Sequence, residues 1–478
     1  MAAPLTIPSA ALSYGGVKES GTLTMDQAEV APSATLAAWA ASLQHGEIPP
    51  HVRERTARLL TDAVASALAG RHAAETAQVE GVARYIAPGT EATAIAGGRF
   101  SRIGATLLNG YLITGLTVCD VYRPNHIHVT PEVVPPALAI AEGRGLSGAE
   151  LITALAVGLE VTVRIARGID YPTFRQRGWH SPGVIGPFGG AAAAGKILGL
   201  DPDRMRWAFG LAGSQSAGTF AQWGTPTVKF HQARGAMAGL IAATMAAEGF
   251  RSSDEILTHP DGGIFSTYAG GGDARAVVAN LGEEWELERI SMRLWPTASL
   301  IQGVVSAVFD LIDAHDVRAE DVERMTIGLS ESTHRMHGAM GWEDRFRALL
   351  STHYAAAVVL HDRECWLDQF EPERLADPTV SKFAAERIQV VVDESVSTTG
   401  AVLEAELTDG RQLTIRRDVP KGDADDPLSI EEIVAKFRRA AQGVLPEEKA
   451  ERALELLLDV EQLPDVDRLM SILAHVEP

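Results

Sequence analysis

His180 stands in the segment Gly178-Trp179-His180-Ser181-Pro182, directly before a run of glycine, alanine and small aliphatic residues, Gly183 to Leu200 (GVIGPFGGAAAAGKILGL). An imidazole can move a proton near neutral pH, and the unpaired N–H groups of a helix start favour an anion beside it. The same position also suits a buried, hydrogen-bonded histidine. A second cluster sets Asp120, Tyr122, Arg123, His126 and His128 within nine residues, between two apolar segments. It offers an acid/base set. His126-x-His128 with Asp120 is an alternative metal site, but a further well-spaced ligand is lacking and no metal is expected. A third segment, Lys229-Phe230-His231-Gln232-Ala233-Arg234, holds two cations able to grip a carboxylate. Trp295 to Gln302 and Ser351-Thr352-His353-Tyr354 complete the set; the tyrosine, in an apolar helix, suits a core as well as a site.

These residues need a scaffold. Residues 33–271 read as helix after helix, including 102–118, 131–142, 149–167, 182–198 and 231–247, with a capping-box start at Ser147. Small residues at the contacts imply close packing. Near Gly272 the pattern changes. Alternation predicts strands over 289–295, 322–329, 387–392, 402–407 and 412–417, the last two joined by the turn Thr408-Asp409-Gly410-Arg411. Helices over 299–314 and 345–360 separate them. After Pro420 the chain returns to helix. The expected fold is mainly α: helical over 33–271, α+β over 272–421, and helical again over 422–478, packing back on the first part. Residues 1–32 read as a mobile arm without the basic and apolar regions of a signal peptide.

The length of 478 residues favours two or three domains. The net charge of −20 argues against nucleic acid, which needs clustered cations, but leaves room for a local cationic pocket. The two cysteines, Cys119 and Cys365, are far apart and suit a reducing cytoplasm. No apolar run is long enough to span a membrane.

Taken in order, LLTDAVASALAG (Leu59–Gly70), Asn109-Gly110, VVPPALAIAEG (Val133–Gly143), Gly178–Leu200, KFHQARGAMAGLIAA, FSTYAGG, STHYAAAVVL and GDADDPLSIEEIVAKF (Gly422–Phe437) resemble the MmgE/PrpD superfamily. That superfamily includes 2-methylcitrate dehydratases, cis-aconitate decarboxylases and iminodisuccinate epimerase. The resemblance implies a large helical domain built from both chain ends, with an inserted α+β lid domain and the site in the cleft between them. It also implies a homodimer using neither metal nor organic cofactor. By matching positions it assigns His180, His128 and Tyr354 to catalysis, and Asp120 to the last acidic residue of the family's D-x-D-D run. Three positions depart: the first aspartate of that run is Thr117, the family lysine falls on Val228 with Lys229 next to it, and a lid histidine falls on Gln302.

The expected activity is a lyase, a dehydratase, hydratase or decarboxylase, abstracting a proton next to a carboxylate or carbonyl of a small organic acid. His180 and His128 are the expected base and acid, with Asp120 orienting a histidine and Tyr354 donating from the lid. Lys229, Arg123, Gln302, His126, Thr117 and Trp179 are the expected substrate contacts. An epimerase using the same histidines is the alternative, favoured by an uncharged Gln302 where an acid would stand; a catalytically silent binding protein is the third reading. Few visible site cations predict a substrate less charged than 2-methylcitrate, with an apolar part on Trp179 or Trp295.

Overall fold

The computed structural model describes residues 31–475. The arm expected over residues 1–32 falls outside them except for its last two residues, where the helix Pro32–Ser42 begins. The helices that bear on the site are α1 (Pro50–Gly70), α2 (Arg102–Thr114), α3 (Thr130–Ala141), α4 (Gly148–Arg167), α5 (Tyr171–Gln176), α6 (Ser181–Ile197), α7 (Thr227–Ala247), α8 (Gln302–His315), α9 (Glu331–His337), α10 (Thr352–Asp362) and α11 (Ile430–Ala441). The chain is mainly helical. Its principal sheet has four strands, β1 (Val322–Leu329), β2 (Ile388–Val392), β3 (Ala401–Leu407) and β4 (Gln412–Arg417), in the order β2-β1-β3-β4. β1 runs parallel to β2 and antiparallel to β3, and β3–β4 is the expected hairpin, turning on Gly410 at φ 88°.

The glycine-alanine run forms α6 at the centre of the helical part. A side chain at Gly189 would strike Thr162 and the Gly158 carbonyl of α4, and one at Gly239 of α7 would strike the backbone of Gly190. Without Cβ atoms at these points, α4 and α7 come within backbone contact of α6. That approach fixes Lys229 and His231, at the start of α7, beside His180 at the start of α6. Ser147 closes its capping box with Glu150 at the start of α4, as expected. At the far end of the chain, α11 returns to pack on α1. Its Lys436 pairs with Asp62 at 2.5 Å, both fully buried.

Three local expectations are corrected. The helix expected to reach residue 118 ends at Thr114, and Thr117 takes the left-handed conformation at φ 60°. That turn directs the following segment away from α2. Of the strand expected over 289–295 only Ile290–Ser291 forms, paired with Val121–Tyr122. Beyond it the Arg293 side chain turns inward to the Cys119 carbonyl, and the Gln302 amide gathers the carbonyls of Trp295 and Thr297, so the chain bends. The helix expected over 345–360 breaks into Arg345–Ala348 and α10, where Ser351 caps the second piece by accepting the Tyr354 N–H.

Buried apolar side chains gather in two main clusters. One draws on residues 36–292, 366–367 and 428–473, the other on residues 295–407 including the sheet. Among the described residues, no helix is long and apolar enough to cross a membrane.

Candidate active site

A cavity of about 1080 Å³ is lined from both clusters: His128, His180 and Lys229 on one side, Leu300, His337, Phe346 and Leu350 on the other. Each group is held by a local device that the sequence dictates.

His180 is the N-cap residue of α6. Its backbone N–H donates to the Gly218 carbonyl at 3.0 Å, and Pro182 in the first turn commits the chain to helix just beyond it. Its Nδ1 lies 3.0 Å from Nδ1 of His231, one turn into α7. Burial, then the charges of His231 and His128, hold His180 well below the ordinary histidine range, so it rests neutral.

The segment 117–130 turns back on itself through Asp120. Its carboxylate accepts the N–H groups of Val129 (2.8 Å) and Thr130 (3.1 Å) and the Thr130 hydroxyl, capping the start of α3. Its backbone carbonyl accepts Nδ1–H of His128 at 2.6 Å. A carbonyl can only accept, so His128 carries its proton on Nδ1 and keeps a lone pair on Nε2. Burial, with Arg293 and Lys229 nearby, pulls His128 down to about 3. His126 is left-handed at φ 46°, and its ring rests 5.4 Å from that of Tyr171; burial, then Arg123, pulls it to about 4.

Two cations reach the floor of this cavity. Lys229 is 5% exposed and has neither a carboxylate nor a hydrogen-bond acceptor among the described residues. Burial, then Arg293, pulls it down to about 7. Arg293 is 1% exposed and donates to no carboxylate among the described residues: its acceptors are the Cys119 carbonyl (2.6 Å), the Cys119 sulfur (3.2 Å) and the Thr297 carbonyl (3.3 Å). Lys436 holds this floor from behind, donating to the Val118 and Arg293 carbonyls, each at 2.8 Å. Arg175, set over the Phe220 ring at 3.2 Å, and Arg335 also line the cavity. None of the described lining residues is Asp or Glu.

Of the expected site residues, the cavity therefore brings together His180, His128, His126, Lys229 and Thr117. Six others are turned elsewhere. The Asp120 carboxylate serves the α3 start, and only its backbone orients a histidine. Arg123 pairs with Asp423 of the GD-x-x-x-PLS segment and donates to the Ser299 carbonyl at 3.0 Å, so its charge is already matched. Tyr354 is fully buried in the second cluster and donates to the Gln369 carbonyl at 2.6 Å. Gln302 is fully buried, its amide bonded to Trp295 and Thr297. Trp179 packs edge-on to Tyr268, ring centres 4.9 Å apart, and Trp295 stacks on Phe309. The aromatic wall is Phe220 and Trp223, stacked at 5.3 Å.

Sequence reasoning missed Arg293, the pairing role of His231, and His337. The alternation sets Arg293 with Arg289 and Ser291, opposite Ile290, Met292 and Leu294, so it reads as a solvent-facing residue and gave no signal. His337 carried none, since α9 is a short polar helix. As to the metal alternative, Asp120 is committed to α3 and Nδ1 of His128 to a carbonyl; among the described residues no three His, Cys, Asp or Glu side chains are grouped so as to hold a metal ion.

Unopposed basic side chains with neutral histidines among them can hold a small organic anion and transfer protons on it. The protein is mainly helical, with a cavity lined by cations and histidines. The chain belongs to the MmgE/PrpD family: its residues 34–276 match the MmgE/PrpD N-terminal domain and residues 295–462 the C-terminal domain. Among its relatives is a cis-aconitate decarboxylase-like protein of Aspergillus oryzae, 27% identical over 95% of this chain and 99% of the relative. A cis-aconitate decarboxylase of Aspergillus terreus is 27% identical over 91% of this chain and 94% of the relative. The human cis-aconitate decarboxylase is 25% identical over 78% and 80% respectively.

Proposed function

We propose that this protein is a lyase that removes carbon dioxide or water from a small di- or tricarboxylate, in the cleft between a helical body and a lid built on the second cluster. The observation that carries this reading is the charge of the cavity: Lys229, Arg293, Arg175 and Arg335, with no acidic side chain among the described lining. This revises the expectation of a weakly charged substrate, which rested on too few cations. Arg123 is lost to Asp423, but three arginines outside the recognised motifs take its place.

In this reading Lys229 and Arg293 anchor carboxylates and stabilise charge that develops beside them. Loss of carbon dioxide leaves an electron pair on carbon or, across a double bond, on its conjugate position; that carbon then takes one proton, supplied by His180. For loss of water, Nε2 of His128 takes the proton from carbon, because its lone pair is fixed by the Asp120 carbonyl, and His180 protonates the hydroxyl that departs as water. Closure of the second cluster over the cavity would exclude water and strengthen each charged contact. The relatives named cis-aconitate decarboxylases make cis-aconitate the first compound to test. The epimerase reading loses its support, because Gln302 is not among the described cavity residues.

The experiment is a panel of unsaturated and hydroxylated polycarboxylates, including cis-aconitate and 2-methylcitrate, followed by mass spectrometry in deuterated water. Loss of carbon dioxide or water is expected, with one deuterium on the product carbon where carbon dioxide leaves. Deuterium incorporation without a change of composition would move the assignment to an epimerase. Failure of every polycarboxylate to bind in calorimetry would end it.

A further inference from the structure

Two imidazoles whose Nδ1 atoms lie 3.0 Å apart share one proton: one nitrogen donates it and the other accepts. His180 spends its Nδ1 on this bond and lines the cavity with the rest of its ring, so its Nε2 is the atom available to a substrate. His231 does not line the cavity, yet it keeps 7% of its surface exposed. Its ring lies under the segment Ala217-Gly218-Thr219, whose outer residues are exposed. A side chain at Gly218 would come within 3.0 Å of Nδ1 of His231, and Gly218 sits at φ 133°, a conformation suited to glycine. The pair thus has one face on the cavity and the other beneath the outer surface.

We propose that His180 and His231 form a proton relay joining the cavity to solvent, with His231 the positioning residue that replaces the proton His180 gives up and keeps its ring neutral. The inference rests on the carbon-dioxide-releasing branch of the lyase reading, because replacing a carboxylate by hydrogen consumes one proton per turnover, whereas loss of water consumes none. In the loaded state His231 donates Nδ1–H to Nδ1 of His180, which carries its own proton on Nε2. The substrate carbon takes the Nε2 proton as the bond to the leaving carbon dioxide breaks. The shared proton moves to Nδ1 of His180, and water supplies one to Nε2 of His231. Both rings end neutral with tautomers exchanged. When product leaves, water entering the cavity protonates Nε2 of His180, the shared proton returns to Nδ1 of His231, and Nε2 of His231 gives its proton back to solvent. The loaded tautomers are restored, and the net change is one proton from solvent to carbon.

The surroundings favour a relay of neutral rings over a lasting imidazolium. His180 faces Lys229 and His231 from α7, His128 from the 126–128 segment and Arg175 from α5, while Arg234 flanks His231 on its own helix. No carboxylate lines this part of the cavity to hold a cation in place.

Two readouts test it. In ¹⁵N-histidine-labelled protein, ring-nitrogen NMR should detect coupling across an N–H···N bond, assigned through His180→Gln and His231→Gln. With citrate filling the cavity, exchange of the His180 ring proton with water should slow at least about tenfold in His231→Phe. In turnover, His231→Phe and His231→Asn should each lower kcat about a hundredfold, the lower end for a positioned acid or base, with KM nearly unchanged. Added imidazole should restore part of the loss. Asn keeps a hydrogen bond to His180 but cannot pass a proton, so wild-type kcat in His231→Asn would overturn the relay. So would absent coupling, unchanged exchange, or a loss that imidazole leaves untouched. Intact NMR behaviour in a protein that turns over no polycarboxylate would instead overturn the lyase reading and leave the relay standing.

Discussion

Replacing Lys229 by methionine should make the protein more stable at neutral pH and unable to hold its anion. Lys229 titrates at about 7 in the folded protein, against 10.5 for an ordinary lysine. At about 1.4 kcal/mol per pH unit, that gap corresponds to roughly 5 kcal/mol of folding stability withheld when the side chain is charged. Water admitted to the cavity reduces this, so a gain of about 2–5 kcal/mol is expected from a methionine of similar length. The pH window follows from the direction of the shift. Below pH 7 both folded and unfolded chains carry the proton, and the full cost is present. Between pH 7 and 10.5 the unfolded chain binds more protons, so wild-type stability rises with pH relative to the variant. The advantage of Lys229→Met should therefore narrow by about 2.5 kcal/mol between pH 7 and 9. Urea unfolding of both proteins at pH 6, 7.5 and 9 measures it, since other groups titrate alike and cancel. A variant that is less stable at pH 6, or an advantage that does not change with pH, would refute the view of Lys229 as an unmatched buried cation.

Arg293→Gln should weaken binding of a polycarboxylate by tenfold or more in calorimetry, because its charge has no carboxylate partner among the described residues. Tyr354→Phe should cost about 1–2 kcal/mol by orphaning the Gln369 carbonyl while leaving ligand affinity unchanged, as unfolding and calorimetry on one preparation can check. Lys436→Met should cost about 3–5 kcal/mol by leaving Asp62 buried and uncompensated, and it should weaken the anion site through the released Val118 and Arg293 carbonyls. Anion binding near pH 7.5 should take up protons, because a bound carboxylate raises the depressed values of Lys229 and the histidines. Calorimetry in two buffers of different ionisation enthalpy measures the uptake, and proton release would contradict this charge balance.

The helical scaffold was legible because its signals are local. Ser147 with Glu150 and the glycine-alanine run of α6 declare themselves by residue type, and the four strands of the main sheet by alternation and one turn. The site was legible only where a histidine or lysine opens an element, as His180 and Lys229 do. Partnership across the chain was not. Whether Arg123 is free depends on Asp423, 300 positions away, and whether Tyr354 faces substrate depends on the Gln369 carbonyl. Arg293 was invisible for the converse reason: its meaning lies in the carboxylate that it lacks. Residue type reports what a side chain can do, and only the fold reports what it has already done.

That distinction explains how a chain of net charge −20 can hold a cavity for anions. Three described acidic side chains near the site are spent on structure: Asp120 caps α3, Asp423 matches Arg123, and Asp62 matches Lys436. A fourth, Glu132 of α3, is fully buried without a hydrogen-bond partner, and burial beside Asp120 holds it well above the usual carboxylate range, so it adds no negative charge. Each such commitment removes a carboxylate that could have neutralised Lys229 or Arg293. The cations are then opposed only by burial and by one another, which lowers their hold on protons until an anion arrives. Stability and function draw on the same acids here, so moving one carboxylate into the cavity would steady the free protein and close it to its substrate.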